Sequence, residues 1–114
     1  MVVAQPGALD RETELLKTLA HPLRLALLEA LSQDEECVCH LTALLGKPQP
    51  YISKHLAELR EAGLVTDRRD AQRTYYRLSD ARIVPLLAAA RALSDRPAVS
   101  GRRVIAGCPC PRCK

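Results

Sequence analysis

The segment QPYISKHLAELREAG (Gln49–Gly63), followed at once by LVTDRRDAQRTYYRL (Leu64–Leu78), decides how this chain is read. In the first segment Ile52, Leu56, Leu59 and Ala62 recur on one helical face, and Gly63 is the residue type that ends helices in a left-handed turn. Beyond Gly63, a pair of extended runs, Leu64–Arg69 and Arg73–Leu78, flanks Asp70-Ala71-Gln72 and predicts a β-hairpin with basic arms. Upstream, Val38, Leu41, Leu44 and Leu45 predict a helix that stops at Gly46. Lys47–Pro50 is too short and too proline-rich to be more than a turn. Two short helices across a tight turn, then a basic hairpin, form the pattern of a winged helix-turn-helix, whose second helix enters the major groove of DNA.

Working outward, Asp10 is a candidate N-cap for a helix carrying Leu15, Leu16 and Leu19, and Pro22 ends that helix or begins the next. Leu23, Leu27, Leu28 and Leu31 form one stripe of a second helix over Leu23–Ser32, with Arg24 and Glu29 outside it. A last helix occupies most of Asp80–Ser94, with Pro85 in its first turn or kinking it. Its apolar residues, Ile83, Val84, Leu86, Leu87 and Leu93 among alanines, surround much of the circumference, so it is expected to pair with a second subunit together with the first helix. We divide the chain into a DNA-binding and dimerisation domain, residues 1–94, and a flexible cysteine-containing tail, residues 95–114, rich in Pro and Gly.

Composition agrees with this division. The 114 residues are 47% hydrophobic and 26% charged, with no Phe or Trp and three Tyr, which suits one small, mainly α domain and argues against a β-sandwich or a two-domain enzyme. The most apolar run, Ile83–Ala90, contains Pro85 and is far too short for a membrane span. The start carries no basic segment followed by a long apolar one, so a cytoplasmic protein without a membrane partner is expected. Net charge is −4 over residues 1–40, +3 over 41–79 and +5 over 80–114, a polarity that suits a polyanion partner. Gln49, Tyr51, Ser53, Lys54 and His55 lie off or at the edge of the apolar stripe and can reach bases or phosphates, while Arg68, Arg69 and Arg73 can grip phosphates from the hairpin. His21 is read as structural.

The runs LKTLAHPLRLALLEAL (Leu16–Leu31), ECVCHL (Glu36–Leu41), QPYISKHLAELREAGLV (Gln49–Val65) and RRDAQRTYYRL (Arg68–Leu78) together resemble the ArsR/SmtB family of bacterial metal-responsive repressors. The resemblance implies a dimeric winged-helix repressor that leaves its operator when a toxic metal ion binds. Two recognition helices would then meet major grooves about 34 to 36 Å apart. Pro48 stands where the family has an N-cap serine, and Ala71 where it has a turn glycine, whose positive φ is costly for alanine.

The five cysteines fall into two motifs, Cys37-Val38-Cys39 and Cys108-Pro109-Cys110-Pro111-Arg112-Cys113, more naturally metal ligands or redox groups than a disulfide framework. The first pair resembles the family's arsenic and cadmium/lead sensors, although the third cysteine of the arsenic motif falls at Thr42. On a regular helix Cys37 and Cys39 point about 160° apart, so the pair shares an ion only if the first turn is unwound or distorts on binding. Such strain would move the recognition helix. A further donor is needed. The tail can bring one, since Asp95–Gly107 spans up to about 40 Å when extended, or its three thiols form a separate site. His40 is a further candidate ligand, read as a helix-surface residue. Thiolates favour As(III), Sb(III), Cd(II) or Pb(II), with Zn(II) less favoured because Ile83–Ser94 offers neither the His nor the acids of the family's C-terminal-helix zinc site. A thiol redox-sensing regulator is the alternative. A thiol oxidoreductase lacks the βαβ alternation it would need, and a metal-storage protein has no use for wing arginines.

Overall fold

The computed structural model describes residues 3–98 together with residues 101, 102, 105, 108, 109, 111 and 113. After a 3₁₀ turn at Pro6–Leu9 come α1 (Asp10–Leu19), α2 (Pro22–Gln33), β1 (Glu36–Cys37), α3 (Val38–Leu45), α4 (Gln49–Glu61), β2 (Val65–Asp70), β3 (Arg73–Leu78) and α5 (Ile83–Leu93). This is the mainly α winged helix-turn-helix expected from the leucine spacing. Asp10 does not cap α1: the 3₁₀ turn runs straight into the helix and leaves Asp10 as its first residue.

Leu23, Leu27, Leu28 and Leu31, the stripe read from the sequence, are all buried, and they meet Leu41 of α3 and Ile52, Leu56 and Leu59 of α4. Pro22 begins α2 at N1, where its missing N–H costs nothing, and the His21 Nδ1 accepts from the Leu23 N–H at 3.1 Å. Arg24 is not a solvated outer residue. It pairs with Glu58, and it donates to the Thr18 carbonyl and to His55 Nδ1, both at 3.1 Å, locking α2 to the end of α1 and to α4. Glu29 likewise ties α2 to Arg91 of α5 and to Arg96 just beyond it.

The α3–α4 turn passes through Gly46 at φ +63°, a conformation few side chains tolerate. Pro48 gives α4 no side-chain cap, but Pro50 in the first turn has no N–H to satisfy, and the Tyr51 and Ile52 N–H groups both donate to the Pro48 carbonyl at 3.1 Å. Pro85 lies in the first turn of α5 and does not kink it. Asp80 receives the Arg82 side chain and backbone N–H, which hold its carboxyl down at about 2.

The wing pairs β2 with β3 from Val65↔Leu78 to Asp70↔Arg73, closed by Ala71-Gln72. Ala71 adopts φ +55°, the left-handed conformation that the glycine-to-alanine departure made costly. A third strand had no sequence signal: β1 is only two residues long and pairs antiparallel with β3, Glu36 opposite Tyr76 and Cys37 opposite Tyr75. Among the described residues no helix is long and apolar enough to cross a membrane.

Candidate thiol centre and nucleic-acid interface

The ladder to β3 holds Cys37 in extended backbone, φ −79° and ψ 157°, as the N-cap of α3 and not as a member of it; its Sγ accepts from the His40 N–H at 3.3 Å. This removes the geometric obstacle posed by a continuous helix. With one residue extended and the other in the first turn, the Cys37 and Cys39 Cα atoms are 5.3 Å apart and the two sulfurs are joined as a disulfide. The expected opposition of the two sulfurs is therefore corrected: the pair meets on one side, and α3 stays intact.

His40, expected on the surface, is 1% exposed. Strand β1 supplies Glu36 on one side of its ring and tail residues cover the other. One ligand atom from each of His40, Cys108 and Cys113 lie within 4.8 Å of one another. Cys108 is buried against Cys37 and Tyr75, and Cys113 packs on the same cluster with Cys39 and Ile105. The two cysteine motifs are thus brought together, Cys110 lying outside the described residues.

A buried ion pair fastens this arrangement. Arg102 donates from Nε and Nη2 to the Glu36 carboxylate at 2.6 and 2.9 Å, and Glu36 is 2% exposed. The hydrogen bond to Glu36 raises the Arg102 pKa further, so the guanidinium stays charged. Its Nη2 also stands 3.3 Å from His40 Nδ1 and 3.5 Å from Cys113 Sγ. Arginine only donates, so Nδ1 is the lone-pair nitrogen of His40 and Nε2 carries the proton, facing Glu36 Oε2 at 3.5 Å. A carboxylate behind the protonated nitrogen is the usual way a ligating histidine is oriented. Nδ1 also stands 3.2 Å from Cys113 Sγ. Glu36 and Arg102 were not singled out from the sequence. The Glu36/His40 spacing of four was the one legible hint, and Arg102 gave none.

On the DNA-reading side, Gln49, Tyr51 and Lys54 are exposed on α4 and Ser53 is half-buried. His55 departs from its expected DNA-facing role. It is 6% exposed, sandwiched near His21 and Tyr51, with its Nδ1 accepting from Arg24. Burial foremost, then the neighbouring His21, Arg24 and Lys54, lowers its pKa. The wing arginines have separate attachments. Arg68 forms a bidentate pair with Glu35 at 2.9 and 2.6 Å and lies over the Tyr75 ring, Arg69 donates to the Ala71 carbonyl at 3.3 Å, and Arg73 donates to the Pro109 carbonyl at 2.7 Å.

Residues 21–67, which run from the α2 cap into the wing, match the family model described as "Bacterial regulatory protein, arsR family". The chain is 44% identical over 95 residues to the biofilm growth-associated repressor of Agrobacterium fabrum, covering 81% of each protein. It is 48% identical over 67 residues to the arsenical resistance operon repressor of Escherichia coli, covering 58% of this chain and 57% of that one. Its fold is similar to the homodimeric winged helix-turn-helix DNA-binding domain from Mycobacterium bovis, with a TM-score of 0.70 and 30% identity, covering 83% of this chain and 91% of that one. The helix-turn-helix, the wing and identity over four-fifths of a repressor's length show that the chain belongs to the ArsR/SmtB family of winged helix-turn-helix transcriptional repressors.

Proposed function

We propose that this repressor acts in the cytoplasm as a homodimer on double-stranded operator DNA and is released when a thiophilic ion, As(III)/Sb(III) or Cd(II)/Pb(II), binds its cysteine thiolates. The observation that carries the reading is the convergence of His40, Cys108 and Cys113 donor atoms within 4.8 Å, packed against Cys37 and Cys39. Sulfur and imidazole nitrogen are soft or intermediate donors, and the adjacent carboxylate is occupied by Arg102, so the set fits soft ions better than magnesium or calcium. The ligands are Cys37 and Cys39 once reduced, Cys108, Cys113 and His40, with Cys110 available in the same motif. The similarity to an arsenical resistance operon repressor favours arsenite over zinc.

Gln49, Tyr51, Ser53 and Lys54 reach the major groove from α4, and Arg68, Arg69 and Arg73 serve the backbone from the wing. The dimer surface is formed by α1 and α5, where Leu16, Val84, Leu86 and Leu93 are 56%, 42%, 38% and 88% exposed. Residues 1–94 form the domain and residues 95–114 the ligand-bearing tail. A mobility shift with the duplex upstream of its own gene, with and without arsenite or cadmium, tests the reading. Release by ion in the reduced protein, lost in the Cys108→Ser/Cys113→Ser variant, is expected; binding that persists at saturating ion would overturn it.

The Cys37–Cys39 disulfide favours a second reading, a redox-sensing repressor. The two readings separate cleanly. Thiolate-to-metal absorption that disappears in Cys37→Ser/Cys39→Ser supports metal sensing. Release by mild peroxide, with no response to any ion, supports redox sensing.

A further inference from the structure

A cleft of about 260 Å³ opens between the start of α3, the first turns of α4 and the wing. Cys37 and Cys39 form one wall, Gln49 and Ser53 another, and Arg69 and Arg73 a third. Two guanidiniums, the Gln49 and Gln72 amides and the hydroxyls of Ser53, Thr74 and Tyr76 line it, with no acidic residue among the described lining residues. Such a lining recognises an oxyanion. The flanking elements are those that a winged helix-turn-helix lays on DNA, so the anion it fits is a backbone phosphate.

Arg73 is the informative member. It is half-buried, its Nε is enclosed and has no hydrogen-bond partner among the described residues, and its Nη2 is held by the Pro109 carbonyl at 2.7 Å. Pro109 directly follows Cys108, which is 4% exposed in the thiol cluster. Whatever fixes Cys108 therefore fixes the carbonyl that occupies Arg73. We propose that this cleft seats one operator phosphate and that the tail controls it: an ion bound through Cys108 pins Pro109 on Arg73 and withdraws that arginine from DNA.

This inference rests on the metal-responsive reading and supplies a route to release that leaves α3 undistorted. A neutral carbonyl is a weaker partner for a guanidinium than a phosphate is, so in the metal-free protein the arginine exchanges to DNA; ligation removes that choice by holding the carbonyl in place.

The test is DNA affinity across a salt series for full-length wild type and Arg73→Gln, both reduced, with and without arsenite. Each phosphate contact contributes about 0.9 to the slope of log K against log salt. Metal-free Arg73→Gln, which removes one contact from each protomer of the dimer, is expected to bind about a hundredfold more weakly than wild type with a slope smaller by about two, as befits two lost charge-assisted contacts. Arsenite is expected to lower the wild-type slope by the same amount and to leave the Arg73→Gln slope unchanged. Equal slopes for the two metal-free proteins would overturn the phosphate seat. Arsenite that weakens both proteins equally would overturn the coupling alone, whereas arsenite without effect on wild type would overturn the metal-responsive reading as well.

Discussion

Replacing Arg102 with methionine removes the guanidinium that meets the Glu36 carboxylate at 2.6 and 2.9 Å while keeping most of the side-chain volume. Glu36, 2% exposed, is left with only the His40 ring at 3.5 Å among the partners described for its carboxylate. Breaking a buried pair in a rigid interior costs about 3–5 kcal/mol. Here a cheaper response exists. Arg102 belongs to the tail, and lifting the tail lets water reach Glu36, so the loss is limited to the free energy that docks the tail, on the order of 2 kcal/mol, or about 30-fold in the docked population. Cys108, 4% exposed when docked, reports that population. In the reduced protein, iodoacetamide labelling of Cys108 read by mass spectrometry should accelerate about 30-fold in Arg102→Met, since labelling through fast opening tracks the open fraction. The urea midpoint of the domain should hardly move. Unchanged labelling, or a full loss of about 3–5 kcal/mol in global stability with Cys108 still protected, would refute the latch.

Three further outcomes are expected. Ala71→Gly relieves a left-handed alanine worth about 1–2 kcal/mol but adds unfolded-state freedom of about 0.4–1 kcal/mol, so thermal unfolding should show a gain of up to about 1.6 kcal/mol; a loss would contradict the strain at φ +55°. His55 has a folded pKa below its ordinary 6.5, so the unfolded chain binds the proton more readily. Its contribution to stability is full above that value and is lost as pH falls through the folded pKa. Urea unfolding between about pH 7.5 and 5 should therefore be less steeply pH-dependent in His55→Gln than in wild type, and identical profiles would remove His55 from the account. Leu86→Glu combined with Leu93→Glu should give a monomer by light scattering, with the fold retained by circular dichroism and weaker operator binding; a persistent dimer would place the subunit interface elsewhere.

The helices and the wing were legible because each depends on local periodicity: the α2 stripe of Leu23, Leu27, Leu28 and Leu31 names its own buried face. The strain at Ala71 was legible from the family resemblance, which places a turn glycine at that position. The thiol centre was legible in residue type but not in geometry. Whether Cys37 stands inside or outside α3 depends on a two-residue strand whose partner, Tyr75, lies far along the chain, and neither propensity nor spacing announces it. His40 looked like a surface residue because its cover comes from Glu36 and the tail. His55 looked groove-facing because position on α4 does not reveal that Arg24 and His21 meet it from α2 and its cap.

Strand β3 pairs with β1 through Tyr75↔Cys37 and with β2 through Tyr75↔Arg68, and it begins at Arg73 beside the hairpin turn. The Cys37 cluster and the wing arginines therefore share one alternation of side chains. Inserting or deleting a single residue between Arg73 and Tyr75 would slip the register and turn Tyr75 to the opposite face, so that the wing pairing and the cysteine cluster are disrupted together. A change in wing length is accordingly best placed at the loop tip, Ala71-Gln72, and an engineered change of operator preference on α4.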